Sequence, residues 1–246
     1  ARSGLFNLGH DSEKITDIWN TLEQNYFIRF SADEIIWQTD AIINATDLKQ
    51  PLVKIRQRTS DGSTELFVVA DDKLHTFAIV TDLIDRLSLT ITDARITTSD
   101  KTYTLQTFML LDKNGDQLNY SRILDIPDNL TNELLINLVP PPRPVNRIGM
   151  SRQIKQFTVT PEVTFLTDPT RNWTVLELIA KDQPGLLAKV ALVLLNNNLN
   201  IKSAKIVTLG ARAEDVFFIT NNDGNAISSV KILNKMEQEI QALLIT

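Results

Sequence analysis

The feature that most constrains the fold of this chain is an internal repeat. Three pairs of segments match at a spacing of 110 residues: "PLVKI" (51–55) with "PEVTF" (161–165), "TELFVVADD" (64–72) with "TVLELIAKD" (174–182), and "DARITT" (93–98) with "SAKIVT" (203–208). A repeat of this length indicates copies of one structural unit. The chain has 246 residues, of which 43% are hydrophobic, and this is enough for two domains of roughly 100 residues.

Each copy is predicted to fold as strand, strand, helix, strand, strand, helix. In the second copy the predicted strands are 162–167, 173–180, 200–209 and 214–220. The helix after the second strand has an apolar face made by Leu187, Val190, Ala191, Leu194 and Leu195. This order resembles the split βαβ unit of ferredoxin-like folds with its last strand moved to the front. We therefore expect an α+β fold of two ferredoxin-like domains in tandem, in which strand 162–167 pairs antiparallel with strand 173–180.

A helical segment is predicted before the first copy. Ile15, Trp19, Leu22 and Tyr26 follow helical spacing, and Ser31 with Glu34 forms a capping box before a second helix. Its aromatic residues are interpreted as core residues. The predicted domain plan is a helical connecting segment at 1–50, a first domain at 51–138, a linker at 139–155 and a second domain at 156–246.

Composition excludes several classes of function. The net charge of −5 argues against a nucleic-acid or anionic membrane surface, and no apolar run approaches the roughly 20 residues of a membrane span. The chain has no cysteine, which removes disulfides and thiolate chemistry and suits a cytoplasmic protein. It begins with Ala-Arg-Ser rather than methionine, so we expect a fragment of a longer protein.

The sequence shows no catalytic constellation. His10 and His75 are its only histidines, too few for a metal-dependent phosphohydrolase centre. The acidic pairs Asp33-Glu34 and Asp71-Asp72 could in principle hold Mg²⁺, but adjacent carboxylates are more simply solvated charge. No cofactor or metal is therefore expected in this chain.

One corner of the second copy has the chemistry of a small-ligand site. In "IAKDQPGLLAKVALVLL" (179–195) a strand stops at Asp-Gln-Pro-Gly and a helix follows. The free N–H groups at a helix start favour a carboxylate, Asp182 favours an ammonium group, and Gly185 lets a ligand approach the backbone. The same residues also make a plain helix-capping turn, so both interpretations stay open from the spacing alone.

The segment "LELIAKDQPGLLAKVALVLLNNNLNIKSAKIVTLGARAEDVFFIT" resembles an ACT domain, a small-molecule-sensing module of amino-acid metabolism. Together with "DARITTSDKTYTLQTFMLLDKNG" it is similar to the paired ACT domains at the C-terminus of bifunctional uridylyltransferase/uridylyl-removing enzymes. The resemblance implies a glutamine-sensing region that controls uridylylation of the nitrogen regulatory protein PII. It also implies catalytic domains outside this chain, which would carry the Mg²⁺, and a bacterial, cytoplasmic setting.

The resemblance also implies particular site residues. The ligand loop of the second copy would comprise Asp182, Gln183, Pro184, Gly185, Leu186 and Leu187. Asn200 and Ile201, on the strand after the helix, would close a site across a domain boundary, either within the chain or in a dimer. A weaker site in the first copy would comprise Asp72, Lys73, Leu74, His75, Thr76 and Thr90. His75 stands at the position of Gly185, and Gln106 at that of Asp215. The first site is therefore expected to be weaker, altered in its choice of ligand, or structural only.

Two other functions are compatible with this topology. An RNA-recognition module needs a basic surface with aromatic residues on its central strands, and the acidic pI of about 5.1 counts against it. An ACT module that pairs domains within or between chains without binding a ligand is the stronger alternative. The linker "VPPPRPVNRIGMSRQIK" at 139–155 is long enough for side-by-side pairing; its basic residues would be solvated or contact acidic partners.

Overall fold

A computed structural model describes residues 1–45, 48–58, 62–71, 76–99, 103–136, 159–183, 185–209 and 212–244. The helices in these ranges are α1 (Arg2–Asn7), α2 (Ser12–Trp19), α3 (Gln24–Arg29), α4 (Ala32–Ile43), α5 (Thr76–Arg86), α6 (Tyr120–Ile136), α7 (Leu186–Asn196) and α8 (Val230–Leu244). The strands are β1 (Leu52–Gln57), β2 (Thr64–Asp71), β3 (Thr90–Thr98), β4 (Tyr103–Leu111), β5 (Glu162–Asp168), β6 (Trp173–Lys181), β7 (Asn200–Leu209) and β8 (Arg212–Thr220). The predicted linker at 139–155 lies outside the described residues, and the predicted domain boundaries stay predictions.

The described strands form one antiparallel sheet in the order β1-β2-β4-β3-β7-β8-β6-β5. Each copy of the repeat supplies four neighbouring strands, which confirms the α+β class and the ββαββα order. The leading strand β5 pairs antiparallel with β6, from Glu162 opposite Ile179 to Asp168 opposite Trp173, as predicted. The two copies join where β3 pairs antiparallel with β7, and we call this strand pair the seam.

The repeat extends to single hydrogen bonds. The Thr64 hydroxyl accepts a hydrogen bond from the Leu118 backbone N–H at 3.2 Å, and the Thr174 hydroxyl accepts one from the Ile227 N–H at 2.8 Å. The turn after the fourth strand of each copy contains a glycine with positive φ, 86° at Gly115 and 78° at Gly224. The two copies therefore share their local turn geometry as well as their topology.

Both copies bury their helices on the same face of the sheet, in one continuous core. Helix α5 packs against α7 across the seam. The ring of Phe77, on α5, contacts Phe108 of its own copy at 6.2 Å between centroids and Phe217 of the other copy at 5.9 Å. Burial of these rings stabilises the pairing of the copies together with the backbone ladder.

The N-terminal segment covers the opposite face of the first copy. Helices α3 and α4 pack on Phe67 and Val69 of β2 and Leu105 of β4, so these strands are buried on both faces. In the second copy β6 and β8 alternate between buried and more exposed residues. The two copies therefore differ in how their outer faces are covered.

The capping box of α4 is present, as predicted. The Ser31 N–H donates to the Glu34 carboxylate at 2.8 Å, and the Glu34 N–H donates to the Ser31 hydroxyl at 3.3 Å. The continuous helical spacing from Ile15 to Tyr26 was wrong as a single helix. Helix α2 ends at Trp19, and Leu22 forms a β-bridge with Ser99 before α3 begins.

An ionic network fastens the N-terminal segment to the sheet. The Glu34 carboxylate accepts hydrogen bonds from Arg95 at 2.7 Å and Arg58 at 2.9 Å. Burial by itself would raise the pKa of Glu34, but its bonds to Arg95 and to the Ser31 backbone hold this pKa at about 2. Arg29 of α3 donates to the Ile96 carbonyl on β3 and, on β7, to the Ser203 hydroxyl and the Ala204 carbonyl.

Candidate functional site

The register of the strands decides which loops and strand ends meet. Along β6, β7 and β8, Lys181 lies opposite Arg212, which lies opposite Leu209. The Asp-Gln-Pro-Gly corner therefore follows β6 at the edge of the sheet where β7 ends. Because β3 runs antiparallel to β7, β3 begins at this same edge, with Thr90. At the opposite edge Asn200 begins β7, and β2 ends there next to the start of β4.

The structure does not bring Asn200 to the Asp182 corner. Asn200 begins β7, whereas Asp182 follows β6 at the edge of the sheet where β7 ends. At about 3.3 Å per residue, the two ends of β7 are roughly 30 Å apart. Within one chain the structure therefore separates Asn200 from the Asp182 corner, and the grouping of these residues in one ligand site stays a prediction. β3 and β7 run antiparallel at the seam. Each of these strands therefore begins at the edge of the sheet where the first helix of the other copy starts.

A cleft at the Asn200 end of the seam contains residues from both copies, and we call it the first site. It has about 510 Å³ of empty space, part of it open to solvent. The first copy lines it with Thr76, Phe77, Ala78, Ile96, Thr104 and Gln106, and the second copy with Ala191, Leu194, Leu195, Leu199, Asn200 and Ile201. Asn200 and Ile201 therefore line a cleft shared between the copies.

The polar residues that line the first site within the described part of the chain are uncharged. Gln106 is 2% exposed; its amide nitrogen donates to the Thr104 hydroxyl at 3.3 Å, and its amide oxygen has no partner among the described residues. The Asn200 amide donates to the Asn221 carbonyl at 3.4 Å. Thr76 borders the cleft at the start of α5. The predicted loop residues Asp72, Lys73, Leu74 and His75 lie outside the described residues.

The repeat assigns equivalent positions at the other end of the seam, and we call these the second site. From its own copy the second site has Leu186, Leu187, Ala188, Ile206, Ala213 and Asp215, and from the first copy it has Thr81, Ile84, Asp85, Leu89, Thr90 and Ile91. Thr90, predicted as part of the weaker site in the first copy, therefore belongs to the end with the Asp182 corner. Asn200 therefore lies at the end of the seam where α5 starts, and Thr90 lies at the end with the Asp182 corner.

The corner of the second site has a specific backbone conformation. Gly185 caps α7 with φ 74° and ψ 6°, in the left-handed region that favours glycine. Gln183 donates from its side chain to the Leu243 carbonyl at 3.1 Å, so it ties the corner to the end of α8. Leu186 is buried and Leu187 packs against the core. Pro184 lies outside the described residues.

Asp215 is the polar group that the site prediction left out. It is 1% exposed on the helix-covered face of β8, and neither carboxyl oxygen has a hydrogen-bond partner among the described residues. Burial raises the pKa of Asp215 to about 7; the Asp182 carboxylate adds to this shift, and the nearby Val207 backbone N–H opposes it. An acid among alternating apolar residues in "AEDVFFIT" was the available sequence signal.

The predicted absence of a metal site stays a prediction. No group of three or more potential metal ligands occurs among the described residues. The His10 ring lies 2.6 Å from the Asp40 carboxylate. In the acidic pair of α4, Asp33 contacts Arg56 at 2.8 Å, and Glu34 takes part in the ionic network described above. No helix in the described ranges has the length and apolar character to cross a membrane.

The sheet, its helices and the seam define the chain as a tandem of ACT-like ferredoxin folds. Residues 1–41 match the family model described as the uridylyltransferase GlnD fifth domain. A bifunctional uridylyltransferase/uridylyl-removing enzyme of Pseudomonas syringae pv. tomato is 39% identical over 241 residues, and the same enzyme of Pseudomonas fluorescens is 38% identical over 244 residues. These alignments cover 96% and 97% of this chain but 27% of either relative. The chain is thus homologous to one region of the bifunctional uridylyltransferase/uridylyl-removing enzymes.

Proposed function

We propose that this chain is the glutamine-sensing regulatory region of a bifunctional uridylyltransferase/uridylyl-removing enzyme. Glutamine would bind where the two ACT-like domains meet, at one or both ends of the seam. The occupied state would favour one of two opposing activities in catalytic domains outside this chain. The substrate of those domains would be the protein PII, in the cytoplasm, with Mg²⁺ bound by the catalytic domains.

The observation that carries this proposal is the pair of buried, incompletely bonded polar groups beneath the helix starts. Gln106 and Asp215 occupy equivalent positions, and each has at least one oxygen without a partner among the described residues. Buried polar groups are nearly always hydrogen-bonded in folded proteins, so such exceptions favour a site that a polar ligand completes. Free glutamine has the matching groups: a carboxylate, an ammonium group and an amide.

The corner of the second site presents backbone N–H groups that suit the carboxylate of an amino acid. The first N–H groups of α7 follow Gly185, and the N–H groups at a helix start favour a carboxylate. A residue with a Cβ would be strained at the φ of Gly185 and would narrow the approach to those groups. The second site therefore combines a carboxylate-binding helix start with the acids Asp182 and Asp215 for an ammonium group.

A pairing module that binds no ligand is the alternative function. It is favoured by the seam itself, since the β3–β7 ladder and the contact of Phe77 with Phe217 join the copies without any added molecule. In this alternative the clefts at the ends of the seam would be by-products of packing two domains side by side.

Titration calorimetry of the whole chain with glutamine distinguishes the two functions. The sensing function predicts saturable binding of glutamine and much weaker binding of glutamate, whose second carboxylate lacks the amide donor. The pairing function predicts no heat with either amino acid. A chain that binds both equally would retain a ligand site but lose its assignment to glutamine.

A further inference from the structure

Asp215 differs from its repeat equivalent in charge, at a depth where charge is costly. It is 1% exposed, and Gln106 is 2% exposed at the same place in the first copy. An ionised carboxylate without a partner is strongly disfavoured inside a protein. The packing of the second copy does not require an acid here, since the first copy holds a neutral amide in the equivalent position.

Among the described residues, no side chain donates a hydrogen bond to the Asp215 carboxyl group. Its cross-strand neighbours are Leu178 on β6 and Ile206 on β7, both buried and apolar. Outside the sheet, the elements packed around this site carry five charged groups: Asp182 in the corner, Lys189 on α7, and Asp82, Asp85 and Arg86 on α5. Arg86 pairs with Asp82 at 2.7 Å and also contacts Glu133, so this cation is already neutralised.

We propose that Asp215 is the counter-ion for the ligand's amino group in the second site, and that it gives up a proton to solvent when that ligand binds. This inference rests on the proposed amino-acid site and assigns its charge selectivity to one side chain. The first site, with Gln106 in the same place, binds without this proton exchange. The two ends of the seam would thus differ in their response to pH.

The step conserves atoms and charge. In the empty protein near pH 7 part of the carboxyl population is protonated, since burial raises the pKa of Asp215 to about 7. An incoming ammonium group donates a hydrogen bond to the carboxylate and stabilises the ionised form, so the remaining acid transfers its proton to buffer. No covalent bond to carbon, nitrogen or sulfur forms or breaks. The buried pair is then neutral overall, the arrangement that a low-dielectric interior tolerates.

The test is calorimetric titration of glutamine into the whole chain at pH 7 in two buffers, phosphate and Tris. Tris takes up protons with a much larger heat than phosphate, so the difference in heat counts the protons released. We expect release of a fraction of a proton per ligand at the second site, and none in Asp215→Asn. The matched control Asp223→Asn makes the same change on the exposed turn after β8, outside the lining of both sites, and should leave the proton count unchanged.

Affinity provides a second measurement. Asp215→Asn should bind glutamine about 10- to 100-fold more weakly at the second site, the usual loss for one charge-assisted hydrogen bond. Wild-type protein that binds glutamine with equal heat in the two buffers would overturn the role of Asp215 while the sensing function stands. Absence of any binding would overturn both. The wild-type comparison needs no variant, so a poorly folded Asp215→Asn leaves the test intact.

Discussion

The two ends of the seam have the same backbone plan and different chemistry. At the first site the polar side chains Thr76, Thr104, Gln106 and Asn200 are uncharged. At the second site the corner holds Asp182, and Asp215 lies buried below the start of α7. A duplicated fold therefore supplies two equivalent clefts, and a change at a single strand position, from Gln106 to Asp215, places a buried acid in one of them.

The largest expected difference between the sites is in the pH dependence of stability. Because the folded pKa of Asp215 is raised to about 7 from 3.8, folding takes up a proton between these values and the protein loses stability as pH rises through that window. At 1.36 kcal/mol per pKa unit the loss reaches roughly 4 kcal/mol above pH 7 and vanishes below pH 4. Asp215→Asn should remove this dependence in denaturant titrations from pH 4 to pH 8.

The reciprocal substitution sharpens the comparison. Gln106→Glu places a carboxyl group in the equivalent buried position, so it should introduce the same loss of stability with rising pH. If Gln106→Glu has a flat pH profile while Asp215→Asn behaves as expected, the two positions are not equivalent environments.

The next largest effect concerns the backbone of the corner. Gly185→Val should weaken glutamine binding at the second site by about a hundredfold, or roughly 3 kcal/mol, because it adds a side chain in the left-handed region and blocks the approach to α7. Gly224→Val is the matched control, since Gly224 has φ 78° and lies in an open turn. Both variants should lose similar stability by thermal unfolding, but only Gly185→Val should lose affinity by calorimetry.

A smaller loss of affinity is expected from substitutions of Asn200 and Thr90, which lie at opposite ends of the seam. Asn200→Ala should weaken binding at the first site about five- to tenfold, close to 1 kcal/mol for one neutral hydrogen bond. Thr90→Ala should act only on the second site. Combining Asn200→Ala with Gly185→Val should give additive losses of affinity in a two-site titration. The altered residues lie at opposite ends of the seam, which are separated by the length of β7, roughly 30 Å. Strong coupling between them would favour the grouping that the sequence predicted.

The smallest effects are expected at the seam itself, where the two ends are alike. The Thr98 hydroxyl donates to the Lys202 carbonyl and the Thr208 hydroxyl donates to the Ile91 carbonyl, both at 3.2 Å. Thr98→Val and Thr208→Val each remove one of these bonds at constant shape and should cost about 0.5–1 kcal/mol in chemical unfolding. A clear difference between the two variants would break the near-symmetry of the seam.

The repeat and the apolar periodicity were sufficient to predict the fold. They located β5 to β8 within one or two residues, because the matching segments are short apolar runs of strand length bounded by turn residues. The partners of each site residue could not be predicted in this way. Asn200 and Asp182 lie at opposite edges of the sheet because β6 and β7 both pair antiparallel with β8. Only the antiparallel pairing of β3 with β7, a contact between residues more than 100 positions apart, shows that Asn200 borders the first copy.

The contact of Arg29 with the seam has a mechanical consequence. Its guanidinium group holds a carbonyl of β3 and a carbonyl of β7 at once, while its backbone belongs to helix α3. Sliding of one domain past the other would stretch these bonds in opposite directions, so a shear at either cleft exerts a force on α3. A displacement of one domain relative to the other would therefore pull on the N-terminal helices. A movement that both domains make together would leave these bonds unchanged.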